Sequence, residues 1–451
     1  MSLLALSNAP ETEEFSNNIF FVEYGMRKKI VQFILNTPMI IWVIGGFLVP
    51  YLFFYFNTLF FETNFMRIDP YLPAIEPIGA DIRAIIDYSS MWILNRENPY
   101  EAGYMYPPFS MIFFSPLVFM PEQVSYIGLS FLTIAAYTVA IVMILKKYRD
   151  GSYFIAAIVF VTGLFSYPLH FEIERGQYNF IVFFLCYVSI HFFYNSPKYR
   201  YFGYLLFTLA VQLKVYPFIF CLMFLYDWRN WRRDLKLLIA LATVNVVFLG
   251  ALGPAKLSNF LNAIGSENAQ DWVWKGNHSI LSFLTWLKIL LVENYQIREI
   301  REYVKPLEYL FLSITCIVVL VATGLVYVKK EKKMDMGLFF ILTLAAMLIP
   351  GVSNDYKIPI LFIPFSMLLM DLEKVFISLL NSAFKLYLVG FLFVVSTLFF
   401  SLTYSYIFKP FILQNNFPVL FLLLLVCGIH QVIMYIHKKN TPILPQSEPA
   451  T

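Results

Sequence analysis

The first candidate catalytic residue of the sequence lies in a polar stretch that follows the first long apolar run. This stretch begins at Ala80 and reads ADIRAIIDYSSMWILNRENPY, in a chain of which only 14% of the residues are charged. Asp81 opens a predicted amphipathic helix, where its carboxylate either caps the free amides of the first turn or acts as a general base. A carboxylate held against an apolar surface gains proton affinity, as a base for a hydroxyl group requires. Asp87 points elsewhere on this helix, and we expect it to pair with Arg83.

Cationic side chains border two later apolar runs. Arg175 lies in HFEIERGQYN, residues 170–179, and either reaches toward lipid headgroups or binds an anionic group, because a guanidinium matches phosphate geometry. Lys214 lies in QLKVYP, near the centre of the apolar run 201–226. A lysine at the centre of a bilayer costs about 2.5–3.5 kcal/mol on insertion scales, and Pro217 removes a backbone donor. The sequence therefore predicts an interruption at Lys214, with a phosphate at the membrane interface as its counter-charge.

Two more polar motifs are WKGNHSI at 274–280 and SNDYK at 353–357. His278 is either a proton carrier or phosphate donor, or an ordinary polar loop residue. Asp355 either contributes to the same site or simply pairs with Lys357. Motifs for nucleotide or zinc chemistry, such as a Walker loop, HExxH or a paired CxxC, are missing from the sequence. No basic stretch is interleaved with aromatic residues as on a nucleic-acid surface, so we expect no nucleic-acid partner.

The composition indicates how these residues are positioned. Of 451 residues, 59% are hydrophobic, whereas soluble domains have about 45–50% apolar and about 25% charged residues. An all-α, polytopic integral membrane protein is therefore predicted. Runs of about 20 apolar residues can span a bilayer, and the candidates are 38–60, 123–145, 152–169, 179–195, 235–252, 307–328, 336–350, 357–371, 384–408 and 417–437.

Basic loops lie on the cytoplasmic side of membrane proteins, and this rule selects one topology. It holds if 201–226 forms a V of two short spans and if 107–121 and 279–292 are re-entrant or interfacial helices on the outer face. About twelve spans result, with a cytoplasmic segment 1–37, a single membrane domain 38–437 and a cytoplasmic tail 438–451. The polar motifs then share the outer face, which indicates that 61–122 is a catalytic outer loop. We expect the membrane to be a bacterial cell membrane.

The order of the motifs resembles a known enzyme family. An outer-loop Asp is followed by NPY, YPPFSMIFFSPLVFMP, GQYN, LKVYP, GNHS and SNDY. Over roughly residues 38–372 this pattern resembles the GT-C superfamily of membrane glycosyltransferases, and within it family 87, whose members are similar to polyprenyl-phosphate-mannose-dependent mannosyltransferases. The resemblance implies an inverting transferase that takes a sugar from a polyprenyl monophosphate at the outer face.

The resemblance also implies roles for residues at matching positions. Asp81 would be the catalytic carboxylate, and Lys214 would lie near the lipid phosphate. The predicted substrate-binding residues are Lys214, Arg175, Gln177, Asn179, Tyr216, Asn277, His278 and Asp355. Two departures concern specificity: NREN stands where the family often has Gly before the PY motif, and His278 replaces the usual Gln between Asn277 and Ser279.

The predicted activity is transfer of a sugar, mannose by resemblance, from a polyprenyl-phosphate donor to a glycolipid or glycan acceptor in glycolipid biosynthesis. The expected partners are this donor, the acceptor and membrane lipids. A divalent cation could assist, but no carboxylate cluster that would hold one is evident, so neither a firm cofactor nor a metal ligand is assigned. Two alternatives remain open: a lipid-linked oligosaccharide polymerase or ligase, which would favour a late outer loop with several arginines, and a multi-span transporter, which would show repeated halves.

Overall fold

A computed structural model describes residue 29 and residues 79–147, 163–164, 166–225, 227–269, 276–328, 333–368 and 415–440. Helices form most of these residues, and no strand is present among them apart from an isolated bridge between Asn277 and Asn354. The α-helices are α1 (Ala80–Ile93), α2 (Pro108–Phe114), α3 (Glu122–Lys147), α4 (Tyr167–Arg175), α5 (Asn179–Asn195), α6 (Arg200–Leu213), α7 (Trp231–Leu249), α8 (Pro254–Ala269), α9 (Ile280–Tyr295), α10 (Ile300–Val328), α11 (Met336–Leu348) and α12 (Phe417–Asn440). Short 3-10 helices cover Ser115–Phe119, Pro197–Tyr199, Tyr216–Phe224, Trp228–Asn230 and Asp355–Leu361.

By length and composition, three helices of the described part are suited to crossing a membrane: α3 over Glu122–Ile144, all of α10, and α12 over Phe417–Ile436. Two bent pairs bring this number to five if each pair is one broken span. They are Pro168–Arg175 with Asn179–Asn195, bent by 111°, and Trp228–Leu249 with Pro254–Gly265, bent by 100°. These helices indicate a membrane protein. The predicted spans 38–60 and 384–408 and most of 152–169 lie outside the described residues, so the number twelve stays a prediction.

The interruption at Lys214 is confirmed. Helix α6 ends at Leu213, and Lys214 has an extended backbone with φ −149° and ψ 144°. A 3-10 helix then begins at Tyr216, with Pro217 in its first turn. Because a proline has no backbone N–H to continue the α-helical ladder, it fits a position just after a break. The break directs the lysine side chain into the protein rather than along a continuous helix.

An aromatic core surrounds α5. Phe183 stacks on Phe339 of α11 with ring centroids 5.4 Å apart and contacts Phe220 at 5.6 Å. All three side chains are fully buried. Such aromatic pairs contribute about 0.5–1.5 kcal/mol each beyond the area they bury. This packing fixes α5, whose first residues belong to the polar motif GQYN.

Gly176 joins α4 to α5 and brings that motif to α1. Its φ of +65° is left-handed, and its N–H donates to the carbonyl of Ile173 at 2.9 Å, as in a helix ending with a C-terminal glycine. The N–H of Gly79, at the start of α1, donates to the carbonyl of Glu174 at 2.7 Å. A Cβ on Gly176 would lie only 2.6 Å from Cγ2 of Ile82. The start of α1 and the end of α4 are therefore in direct contact.

Gly176→Ala should lower both stability and activity. A non-glycine residue in left-handed conformation costs about 1–2 kcal/mol, and the new methyl group would push Ile82 and α1 away from α4. The measurement is the thermal unfolding midpoint of the purified protein in detergent. The matched control is Gly128→Ala on the exposed side of α3, where a Cβ meets no described atom within 4 Å. That change should be neutral or stabilise by up to about 1 kcal/mol. Equal midpoints for the two variants would contradict this account of Gly176.

Candidate functional site

Asp81 is the second residue of α1, and its side chain is 18% exposed. Gly79 occupies the N-cap position, and the helix has no side-chain cap. The expectation that Asp81 caps α1 is therefore wrong: the left-handed glycine turns the chain, and the carboxylate points toward the α4–α5 connection. Asp81 is available for another task.

Two side chains from that connection hold the Asp81 carboxylate. The guanidinium of Arg175 makes a bidentate contact, with Nε donating to Oδ2 at 3.1 Å and Nη2 donating to Oδ1. Nε2 of Gln177 donates to Oδ2 at 2.6 Å. Fork-shaped guanidinium–carboxylate pairs are strong and fix the geometry of both groups. The anionic group that Arg175 binds in this structure is thus Asp81, while its Nη1 atom has no partner among the described residues.

Lys214 lies on the other side of Gln177. Its ammonium donates to Oε1 of Gln177 at 2.7 Å and to Oδ1 of Asn179 at 2.6 Å. It also lies 4.3 Å from the centroid of the Tyr178 ring and 5.2 Å from that of Tyr106, within the range of cation–π attraction. The residue is only 6% exposed. Neutral amide oxygens and the faces of aromatic rings therefore surround the buried ammonium of Lys214 beside Asp81.

Tyr216 supports this arrangement from behind. Its hydroxyl donates to the carbonyl of Asn179 at 2.9 Å, and its ring faces the ammonium of Lys357, 5.6 Å from the centroid. Asn179 itself is fully buried at the start of α5. Five residues predicted from the sequence are thereby connected to Asp81, directly or through one or two other residues: Arg175, Gln177, Asn179, Lys214 and Tyr216.

Tyr106 and Tyr356 belong to the same cluster and were missing from the predicted site. The Tyr106 hydroxyl lies 3.5 Å from Nε2 of Gln177, and the Tyr356 hydroxyl accepts from Nδ2 of Asn354 at 2.8 Å. Burial first, and the negative charge of Asp81 second, raise the pKa of both phenols. Both therefore remain neutral at physiological pH and can donate a hydrogen bond. The sequence indicated both tyrosines only through the motifs that contain them: Tyr106 belongs to YPP and Tyr356 to SNDY.

Glu172 is a further residue that the sequence analysis missed. It is fully buried, and its Oε1 accepts from the backbone N–H of Phe180 at 2.7 Å. This bond closes the turn that contains Gln177 and Asn179. The motif HFEIER contains two glutamates and an arginine, and only proximity in space distinguishes the one that holds the turn.

A second polar cluster contains Asn277, His278 and Asp355. Nε2 of His278 lies 2.6 Å from Oδ1 of Asp355, and Nδ1 accepts from the backbone N–H of Asn416 at 3.2 Å. Oδ1 of Asn277 accepts from the backbone N–H of Ser353 at 2.9 Å. The alternative in which Asp355 pairs with Lys357 is wrong, because Lys357 donates to the carbonyl of Val352 at 2.7 Å.

The hydrogen bonds assign the form of His278. Since Nδ1 accepts, Nε2 carries the proton and donates to Asp355. The imidazole is fully buried and both its nitrogens are engaged. This arrangement joins residues 276–279, 351–355 and 415–417, and Tyr356 follows Asp355 directly toward the Asp81 site. The geometry favours positioning as the task of Asn277, His278 and Asp355, and their predicted contact with substrate stays a prediction.

Asp355→Ala should lower the stability of the protein clearly more than Asp355→Asn. Alanine leaves Nε2–H of His278 buried without an acceptor, and a lost hydrogen bond to a charged group costs about 1.5–3 kcal/mol. Asparagine keeps an oxygen acceptor in nearly the same place. The unfolding midpoint in detergent separates the two variants. The interpretation is contradicted if the asparagine variant is as unstable as the alanine variant.

Asp87 also lies on α1, but its exposure and its charged neighbours differ from those of Asp81. It is exposed, and its pKa is raised by partial desolvation and by the charge of Glu122, against the opposing charge of Arg83. Arg83, predicted to pair with Asp87, lies 3.0 Å from Glu122. Asp87 therefore serves as a matched control for Asp81.

Within the described ranges, no group of three or more His, Cys, Asp or Glu side chains could hold a metal ion.

Comparison with known proteins adds an independent finding. Residues 104–352, more than half of the chain, match the sequence model of a family described as Glycosyltransferase family 87. The matched residues include Arg175, Gln177, Lys214 and His278, whereas Asp81 precedes them. A search of curated proteins gave no match to this chain.

Proposed function

The chain belongs to glycosyltransferase family 87, and on this basis we propose an inverting transferase that moves mannose from a polyprenyl-phosphate donor to a glycolipid or glycan acceptor. The observation that carries the proposal is the partly exposed Asp81 carboxylate, held by Arg175 and Gln177 with the Lys214 ammonium one amide away. A base and a buried cation side by side suit a reaction in which a hydroxyl loses a proton and a phosphate leaves.

The reaction is a single displacement at the anomeric carbon. The acceptor hydroxyl attacks this carbon, and its proton passes to Asp81 as the new carbon–oxygen bond forms. The bond between the anomeric carbon and the phosphate oxygen breaks, and the polyprenyl phosphate departs with the electron pair. One carboxylate suffices for this route, whereas retention would need a nucleophile that forms a covalent intermediate. The configuration at the anomeric carbon is inverted.

The hydrogen bonds of Asp81 indicate which oxygen accepts the proton. An ionised carboxylate offers about four lone-pair positions, two on each oxygen. Among the described residues, Arg175 and Gln177 both donate to Oδ2, and Arg175 alone donates to Oδ1. The free position is therefore on Oδ1, and we assign this atom as the base.

Two positive groups would meet the departing phosphate. Lys214 is buried, and its hydrogen-bonding partners are neutral oxygens. Nη1 of Arg175 has no partner in the described part of the chain. Donors fixed in advance where negative charge develops stabilise the transition state more than donors that must reorient. Both residues support the choice of a phosphate-linked donor.

An apolar cavity supports a lipid as the leaving group. It measures about 220 Å³ and lies between α6 and α7, where Leu205, Thr208, Leu241, Val244 and Phe248 line it. The helix α6 that forms one wall ends next to Lys214. The first isoprene units of a polyprenyl chain, lying in this cavity, would place the phosphate near the end of α6.

The membrane arrangement that goes with this function also belongs to the proposal. Residues 38–437 form one membrane domain of the GT-C type with about twelve spans, and both termini face the cytoplasm. Residues 61–122 form the catalytic loop on the outer face of a bacterial cell membrane. The basic loops support this topology, and so does the contact between the polar motifs that contain Asp81, Gln177 and Lys214.

The test is sugar transfer by the purified full chain in lipid nanodiscs. Synthetic polyprenyl-phosphate-mannose carrying radiolabelled mannose is supplied with a bacterial lipid extract, in parallel with a nucleotide-linked mannose and a polyprenyl-diphosphate-linked sugar. We expect label in a glycolipid or glycan only with the monophosphate donor. Transfer from the diphosphate donor alone would indicate a polymerase or ligase and contradict the proposal. Movement of unchanged donor across the bilayer of sealed proteoliposomes, measured in parallel and without sugar transfer, would indicate a transporter.

A further inference from the structure

Gln177 connects the two charged groups of the site, and its amide can do so in only one orientation. Its oxygen accepts from the ammonium of Lys214 at 2.7 Å, and its nitrogen donates to Oδ2 of Asp81 at 2.6 Å. Reversing the amide would place a donor against the ammonium and an acceptor against the carboxylate. Because an ammonium only donates and an ionised carboxylate only accepts, the orientation is determined by its two neighbours.

We infer that Gln177 is a positioning residue that couples the cation at the phosphate site to the catalytic carboxylate, rather than a residue that contacts the substrate. This inference rests on the proposed function. It assigns the residue a task that its family motif alone does not give: the amide transmits the position of Lys214 to Asp81 and keeps Oδ2 occupied, so that Oδ1 faces the acceptor.

Burial and backbone geometry support this role. Gln177 is 3% exposed, and both ends of its amide are already engaged by Asp81 and Lys214. Its backbone N–H donates to the carbonyl of Glu172 at 2.9 Å, directly after the left-handed Gly176. The side chain is thus delivered from a rigid turn, and asparagine, which is one methylene shorter, could not reach both partners.

The amide of glutamine makes both bonds at any pH, whereas a glutamate of the same length makes both only when it is protonated. Ionised glutamate could accept from Lys214 but would present a second negative charge to Asp81. Methionine fills a similar volume and makes neither bond. These differences allow the coupling to be separated from simple filling of space.

The first test follows the hydrogen bonds on the Asp81 carboxylate. Infrared difference spectra between each protein and its own Asp81→Asn version isolate the antisymmetric and symmetric carboxylate bands of this residue, whose positions depend on the hydrogen bonds that its two oxygens accept. The comparison uses the full chain in nanodiscs, as the parent, Gln177→Met and Gln177→Glu. The control is Gln431→Met, which removes a buried glutamine of α12 whose Nε2 donates to Oδ1 of Asp335 at 2.8 Å.

We expect these bands to shift in Gln177→Met, because Oδ2 loses the donor that Gln177 supplies, and to shift further in Gln177→Glu at a pH at which the new glutamate is ionised. The Gln431 variant should match the parent. Other groups that act on the charge at this site are unchanged in every variant: Arg175, Glu172, Glu174, Lys214, Lys357, Tyr106, Tyr178 and Tyr356.

Kinetics give the second readout. With the polyprenyl-phosphate donor, Gln177→Met should lower kcat at least about tenfold with little change in the KM for the donor, as expected of a positioning residue. Unchanged Asp81 carboxylate bands in Gln177→Met would overturn the inference, and so would a raised KM with unchanged kcat, which would indicate direct contact with the donor. Because the infrared measurement needs no turnover, it tests the coupling even if the parent fails to transfer sugar, a result that would contradict the proposed function instead.

Discussion

Asp81→Asn should reduce sugar transfer by about 10²–10⁴-fold, the usual contribution of a general base. Asparagine has nearly the same shape but cannot take the proton from the acceptor hydroxyl. Its oxygen can still accept a hydrogen bond from Arg175, so we expect the fold to survive. The measurement is the initial rate of transfer of radiolabelled mannose, with binding of the donor determined on the same preparation.

The matched control for this prediction is Asp87→Asn. Asp87 lies on the same helix but is exposed and faces Arg83 and Glu122 rather than the site. Its replacement should change the rate by less than about threefold, because substitutions of exposed residues away from a functional site usually have small effects. Equal rates for the parent and both variants would rule out Asp81 as the base. A loss of donor binding in Asp81→Asn would show that the carboxylate serves binding rather than proton transfer.

Lys214→Met should lower kcat by about 10²–10³-fold, the loss seen when one donor to a developing negative charge is removed. Methionine keeps most of the length and apolar contacts of lysine, including those with the rings of Tyr106 and Tyr178. What disappears is the positive charge one amide away from Asp81. The effect should be largest for donors whose leaving group is a poor one, because that group depends most on stabilisation. Measurements of kcat and KM with the polyprenyl-phosphate donor test this.

Lys305→Met is the control for Lys214. Lys305 is 67% exposed and binds Glu308 at 2.9 Å near the start of α10. Exposed ion pairs of this kind contribute about 0–1 kcal/mol to stability, so rates and unfolding midpoints should stay close to those of the parent. If Lys214→Met behaved like this control, the buried ammonium would have no part in the reaction.

The helical class and the break at Lys214 could be predicted from the sequence for simple physical reasons. Long apolar runs exclude a soluble fold, and a lysine followed by a proline inside such a run cannot continue an α-helix at low cost. The clustering of Arg175, Gln177 and Lys214 followed from placing their motifs on one side of a membrane. These predictions depend on composition and short motifs, which are local properties of the chain.

The pairings within the site could not be predicted, because they join distant parts of the chain. Arg175 was expected to meet a headgroup or a substrate anion, yet it binds Asp81, 94 residues earlier. Pairing with the nearby Lys357 was one alternative for Asp355, yet Asp355 binds His278, 77 residues away. In both cases the carboxylate is at least partly buried, and the fold brings it to a partner whose geometry satisfies it. The spacing of two residues along the sequence gives no information about their distance in the folded protein.

The configuration of the transferred sugar tests the central claim most directly. The claim is a single displacement from a polyprenyl-phosphate sugar, with Asp81 as the base. A donor of defined anomeric configuration is incubated with the parent protein, and the linkage in the product is read from the anomeric carbon–hydrogen coupling by NMR. The account predicts the opposite configuration in the product. Retention of the donor's configuration would contradict it, because a covalent sugar–enzyme intermediate and a nucleophile other than the acceptor would then be required.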